Sequence, residues 1–306
     1  MQNLREHVPL APLTTFEIGG EARYFVDVHN NGDVLDALRW ADVNHVKVVL
    51  IAGGSNVLVP DVGIDGLVVR MQGNTHTFDG FRLTANAGCN LLLLINEASP
   101  KGIGGWEKLA GIPGSIGGAV RGNAGAFGPE IKDFVHEVQA ISRDTRVERI
   151  FGTEECTFSY RNSFFKQNPE WIITQVTLDL QEADPELSAL LARDTIAERE
   201  KRHLQNVRAA GSFFMNPVAA KDIVDLFEAE KGVTSRENRV PAGWLIEKAG
   251  MKGAAVGGAI ASLQHPNYIV NQGSATAQDV RNLATSIKQE VRNRFGIDLQ
   301  EEAALL

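Results

Sequence analysis

IPGSIGGAVRGNAGAFG, residues 112–128, holds six glycines in seventeen residues. Glycine loses more conformational freedom on folding than any other residue, so this density is costly. The cost is offset where the backbone must approach something flat or charged, a contact that a Cβ would block. Ile112, Val120 and Phe127 are spaced to anchor the stretch to a core, which argues against a free loop. A second glycine turn, IAGGSN at 51–56, follows an apolar run. Consecutive N–H groups in such a turn form a concave nest for an anion, and Ser55 and Asn56 add side-chain donors. A plain turn is the alternative for this shorter stretch. Neither segment is a GxGxxG between strand and helix, and the chain has no GxxxxGK[ST], so the Rossmann fingerprint and the P-loop are both excluded.

Outward from these walls, periodicity supplies the elements. Strands are expected at 22–28, 47–51, 66–71, 81–88, 136–141 and 171–180, with a second short strand after the 51–56 turn. Residues 66–71 and 81–88 are expected to form a hairpin. Helices are expected at 33–41, where Val34, Leu35, Leu38 and Ala41 share a face, and at 90–102, 185–203, 221–232 and 240–250. The best-defined helix covers 276–295. Thr276 and Asp279 make a capping box, Val280, Leu283, Ile287, Val291 and Phe295 form one stripe, and Gly296 stops it. The early strands and helix read as a small βαβ unit. Two glycine walls in the first two-thirds of the chain suit an extended ligand with a pyrophosphate. A dinucleotide outside a Rossmann fold points to another flavin fold.

The totals remove other classes. The 306 residues carry a net charge of -8 and no basic block, which argues against a nucleic-acid partner. No apolar run approaches the ~20 residues of a membrane helix. Two cysteines, Cys89 and Cys156, lack metal-type spacing, and no HExxH pair occurs, so no metal is expected. The start of the chain does not read as a secretion signal. A monomer in a reducing cytoplasm is the expectation.

Seven motifs stand in a fixed order: TTFEIGG (14–20), IAGGSNVLV (51–59), GGWEKLAGIPGSIGGAVRGNAGAFG (104–128), ECTFSYRNSFFK (155–166), AGSFFMNP (210–217), AGWLIEKAGMKG (242–253) and FGIDLQEEA (295–303). The ordered set resembles the UDP-N-acetylenolpyruvoylglucosamine reductase family over nearly the whole chain. The resemblance implies an α+β fold: a two-subdomain FAD-binding fold of the vanillyl-alcohol oxidase and p-cresol methylhydroxylase type (1–68 and 69–184), then an α+β substrate-binding domain (185–306) whose last residues pack back on the first subdomain. It implies FAD as cofactor, NADPH as co-substrate, and reduction of an enolpyruvyl sugar nucleotide to UDP-N-acetylmuramate.

The same resemblance assigns residues. Hydride addition to the enolpyruvyl double bond leaves an enolate-like charge that needs preorganised donors, then a proton. Arg161 matches the carboxylate-binding cation, for which a planar, permanently charged guanidinium is suited. Glu302 matches the family glutamate, with Glu301 leaving a one-residue ambiguity. Ser212 matches the proton donor, flanked by a glycine and two water-excluding phenylalanines. Gly53, Gly54, Ser55, Asn56, Ile112, Pro113, Gly114, Ser115, Gly117, Gly118, Asn123 and Gly125 match the FAD loops. Tyr160, Arg199, Arg202, Asn216 and Lys252 match substrate contacts. Two departures stand out: Met215 replaces the family's usual lysine and Leu204 its usual proline. A weakened flavin- or sugar-nucleotide-binding module of the same fold is the alternative that Met215 keeps open.

Overall fold

The computed structural model describes residues 1, 3–201 and 207–306. The chain divides into two compact units. The first comprises Met1–Val8, Ala22–Gly54 and Asp65–Lys201, and the second comprises Pro9–Glu21, Ser55–Ile64 and Arg202–Leu306. This division differs from the boundaries at 68/69 and 184/185. The helix that begins at Pro185 falls in the first unit, and two early segments fall in the second.

In the first unit a four-stranded sheet runs in the order Arg5–Pro9, Glu21–Val28, Ile64–Met71, Val48–Ile51. Val48–Ile51 pairs in parallel with residues 67–70. Helix α1, Asn31–Val43, is capped by Asn30, which accepts from the Asp33 N–H, and buries Val34, Ala37, Leu38 and Ala41. The expected βαβ unit is therefore present with one strand inserted between its two strands. A five-stranded sheet follows in the order Glu148–Gly152, Val135–Ser142, Trp171–Asp179, Arg82–Asn86, His76–Asp79.

The expected hairpin of 66–71 with 81–88 is not formed. Arg82–Asn86 pairs instead with His76–Asp79, and 64–71 belongs to the other sheet. The reason lies in the turn. Asp79 pairs with Arg82, so Gly80 and Phe81 form a two-residue hairpin loop with Gly80 at φ +56°, and a glycine at the first central position favours such a tight loop. Helix α2, Leu91–Ala98, and helix α3, Ile116–Arg121, then pack on a core that includes Trp106 and Ile116, both fully buried. The single-turn helix α4, Phe164–Gln167, and the long helix α5, Pro185–Lys201, complete this unit.

The second unit has its own core, built around Phe213, Phe214, Val240, Leu245 and Ile287. Helices α6, Lys221–Lys231, and α7, Ala242–Lys248, precede α8, Ala277–Phe295. In α8 both halves of the capping box form and Gly296 adopts the left-handed C-cap, as the sequence predicts. A three-stranded antiparallel sheet joins 255–256, 259–261 and 269–271. The tail strand Ala304–Leu305 pairs in parallel with Val57–Leu58.

Candidate functional site

The two glycine segments meet inside the first unit. A Cβ on Gly53 would lie 2.7 Å from Gly114 Cα and 3.3 Å from the Ser115 nitrogen. Gly54 and Gly114 have φ of +61° and +116°, a region that side chains resist. The rest of the 112–128 stretch divides in two. Gly117 and Gly125 are required by the protein itself: a Cβ would fall 2.6 Å from Ala87 Cβ in one case and 2.7 Å from Glu130 Cγ in the other. Gly118 and Gly122 are not. Their added Cβ atoms would meet nothing closer than Ser115 Oγ at 3.4 Å and the Gly118 carbonyl at 3.6 Å respectively. Those two leave main chain accessible to a ligand.

The polar groups of this stretch are largely committed. The Ile116 and Gly117 N–H groups donate to the Cys89 and Ala87 carbonyls at 2.9 Å each, and the Gly118 N–H donates to the capping Ser115 Oγ. Ile112 packs against the core. Asn123 is fully buried and its amide is engaged by protein. Its Nδ2 donates to Glu130 and to the Ser159 carbonyl, and its Oδ1 accepts from the Lys132 N–H. Asn123 therefore braces the loop from within.

Arg161 lies in the same unit, beside that loop. Ser159 and Asn162 exchange two main-chain hydrogen bonds of 3.1 Å, leaving Tyr160 and Arg161 as the central residues of a tight turn. Arg161 has φ +52°. A positive φ at the second central position ordinarily selects glycine or asparagine, and such strain costs roughly 1–3 kcal/mol. Several bonds hold the turn: Arg161 Nη2 donates to the Gly125 carbonyl at 3.0 Å, Ser163 Oγ to the Arg121 carbonyl at 2.7 Å, and Lys166 Nζ to the Arg161 carbonyl at 2.8 Å. The guanidinium carbon also sits 5.2 Å from the Tyr160 ring centroid. The arginine turn and the glycine loop are thus one bonded piece. Arg199, on α5, is buried in line with Ser188, Ala192 and Thr195. Arg202 and Leu204 lie outside the described residues.

In the second unit, the segment that carries Ser212 is clamped on both sides. The Phe213 N–H donates to the Asn267 carbonyl at 2.7 Å, and the Asn267 side chain accepts from the Phe214 N–H and donates back to its carbonyl. On the other side, the Glu302 N–H donates to the Phe213 carbonyl at 2.8 Å and the Met215 N–H to the Gln300 carbonyl at 2.9 Å. Residues 213–215 and 300–302 therefore run antiparallel, with Phe214 opposite Glu301. Glu301 is paired with Lys288 at 2.9 Å, so the two neighbouring glutamates hold different stations. The Glu302 carbonyl also accepts from Asn56 Nδ2, and the Ser55 carbonyl accepts from Thr15.

Asn216 Oδ1 accepts from the Ala242 N–H at the start of α7, and its carbonyl accepts from Arg239. Met215 and Asn216 line a cavity of about 490 Å³ whose other walls include Ile223, Arg239, Phe295 and Gln300. A methionine suits that partly apolar lining. Lys252 is ion-paired with Glu247 at 2.8 Å. Sequence reasoning missed two residues, Lys166 and Asn267. Lys166 closes the arginine motif and was legible as part of it, whereas no local signal marks Asn267, whose partners are 53 residues away.

Known proteins share this chain's sequence and fold over nearly its whole length. The family described as UDP-N-acetylenolpyruvoylglucosamine reductase, C-terminal domain, matches residues 202–306, and an FAD binding domain family matches residues 22–150. The reductase of Solibacter usitatus is 36% identical over 294 residues, covering 96% of this chain and 94% of that protein. That of Bacillus licheniformis is 34% identical, covering 98% and 93%. The crystal structure of UDP-N-acetylenolpyruvylglucosamine reductase from Thermus caldophilus superposes with a TM-score of 0.78 at 31% identity, covering 99% of each chain.

Proposed function

The chain belongs to the UDP-N-acetylenolpyruvoylglucosamine reductase family, and from that premise we propose that it reduces UDP-N-acetylglucosamine enolpyruvate to UDP-N-acetylmuramate with NADPH. It is an FAD-dependent oxidoreductase of peptidoglycan precursor synthesis. The residues present fit the cofactor. Gly118 and Gly122 leave main chain open to it, and the left-handed Gly54 and Gly114 let the two glycine segments close together. Gly53, Gly54, Ser55, Asn56 and the 112–125 stretch would hold it. When bound, FAD supplies the carrier that accepts hydride from NADPH and delivers it to the enolpyruvyl double bond.

The protein's own groups do the rest. Arg161 binds the substrate carboxylate through paired hydrogen bonds and cannot lose its charge. Its turn is fixed in advance, so little reorganisation is needed as charge develops on that carboxylate. Ser212 gives its proton to the middle carbon of the enolate-like species, a base strong enough to take it from a hydroxyl. Glu302 is assigned to the same step: protonated, it donates to the developing charge, and ionised, it orients Ser212. Phe213 and Phe214, both buried, keep water from the serine's side of the segment. Asn216 and Lys252 are assigned to the nucleotide portion, Tyr160 to the neighbourhood of the substrate carboxylate, and Arg199 and Arg202 to the region near substrate and flavin.

The single observation that carries this reading is the antiparallel pairing of 213–215 with 300–302, which sets the serine segment and Glu302 in register. The test is spectroscopic. The purified protein should be yellow, bleach under NADPH, and regain its oxidised spectrum on addition of the enolpyruvyl nucleotide. A colourless protein that takes up no FAD overturns the reading. A protein that bleaches but is not reoxidised by the nucleotide is a binding module instead.

A further inference from the structure

Arg161 is held in a backbone conformation that its side chain resists, and one contact on that backbone comes from a cation. Lys166 lies five residues on, in the single turn of α4, and its Nζ donates to the Arg161 carbonyl at 2.8 Å. Helix α4 is itself fixed: Ser163 caps it, is fully buried, and donates to the Arg121 carbonyl. The Phe164 N–H donates to the Cys156 carbonyl at 2.8 Å. Lys166 therefore projects from a rigid base back over the turn.

We propose that Lys166 is a positioning residue for Arg161: it stabilises the left-handed carbonyl orientation and so aims the guanidinium. At φ +52° the Arg161 Cα–Cβ bond leaves the turn in a direction that a relaxed, negative φ would not reproduce. Its Nη2 contact with the Gly125 carbonyl depends on that direction. Without an ammonium on its carbonyl, Arg161 regains the ordinary conformations and its side chain leaves Gly125. This inference rests on the reading of Arg161 as the group that binds the substrate carboxylate.

The experiment measures the dissociation constant of the enolpyruvyl nucleotide on the oxidised, FAD-loaded protein, followed by the shift in flavin absorbance, for Lys166→Met, Lys166→Arg, Arg161→Met and the Arg161→Met/Lys166→Met double variant. NADPH-driven bleaching without nucleotide and flavin content are measured in parallel. Lys166→Met should weaken binding about tenfold, the size of one lost charge-assisted hydrogen bond. Bleaching and flavin content should stay unchanged, and Lys166→Arg should restore most of the affinity. In the Arg161→Met background the lysine change should have no further effect. Additive losses in the double variant, or parallel loss of flavin and bleaching rate in both lysine variants, would show a general structural role and overturn the proposal. Unchanged binding in Lys166→Met with weakened binding in Arg161→Met overturns the lysine inference alone. Unchanged binding in Arg161→Met overturns both it and the carboxylate reading.

Discussion

Serine is a poor acid in water, so Ser212 matters only where position compensates for acidity. The clamp by Asn267 and by residues 300–302 fixes the main chain on either side of Phe213 and Phe214, so the residue before them has little freedom to wander. Ser212→Ala should retain NADPH-driven bleaching and slow reoxidation by the enolpyruvyl nucleotide roughly 10²- to 10⁴-fold, the usual span for general acid catalysis. Rapid-mixing absorbance measurements of the two half-reactions check this, and equal loss in both argues against the serine as proton donor. Cys156 is the opposite case, a reactive type made inert. Burial pushes its thiol up to about 12, and it is fully buried beside the arginine motif. Thiolate is the species that alkylates, so native protein at pH 8 should take up no iodoacetamide at Cys156, while denatured protein should label there. Mass spectrometry of the digest distinguishes the two.

Helix α3 shows why glycine density alone misleads. Gly117 and Gly118 are adjacent and both match the FAD loops, yet a Cβ at 117 would strike Ala87 while one at 118 meets only Ser115 Oγ at 3.4 Å. Gly117→Ala should destabilise the FAD-free protein by about 1–3 kcal/mol through overpacking. Gly118→Ala should leave it unchanged or raise its stability by up to about 1 kcal/mol, the helix propensity gain, and should weaken FAD binding if the cofactor approaches that face. Chemical denaturation of the stripped protein and FAD titration separate the two. Equal FAD affinity for Gly118→Ala and wild type would remove Gly118 from the cofactor surface. The capping box of α8 is simpler, since the sequence stated it outright. Thr276→Ala should cost about 1 kcal/mol. The Thr276 N–H holds the Asp279 carboxyl below its usual range. A depressed folded value means stability present above the unfolded value near 4 and lost as pH falls through the folded one. The thermal midpoint of Asp279→Asn should therefore converge on that of wild type under acid. Such elements were legible because their signals are local. The hairpin of His76–Asp79 with Arg82–Asn86 was legible too, in the glycine at position 80 that opens its two-residue loop, but the stronger apolar run at 66–71 competed for the same partner.

The chain enters the second unit three times, at Pro9–Glu21, Ser55–Ile64 and Arg202–Leu306. Nothing local could announce this. The parallel pair of 304–305 with 57–58 is two residues long on each side, too short for any periodicity, and buried Asn271 reaches the Phe16 carbonyl across 255 positions. What the sequence did carry was motif order, and that sufficed for family, fold class and cofactor. It could not assign which motifs share a unit, because contacts at that separation are set by packing and not by spacing. The division has a measurable consequence. The glycine stretch 112–125 and Gly53 belong to the first unit, as do Trp40, Trp106 and Trp171, whereas only Trp244 belongs to the second. Tryptophan fluorescence therefore reports mainly on the unit that carries most of the assigned FAD contacts. A ligand that binds only the folded state stabilises it by about 2.7 kcal/mol at a hundredfold excess over its dissociation constant. For a unit of this size that corresponds to a rise of about 5–10 °C in midpoint. Stripping FAD should lower the fluorescence-detected midpoint by that amount and reconstitution should restore it. Coincident midpoints for stripped and reconstituted protein would place the cofactor's stabilising contacts outside the first unit.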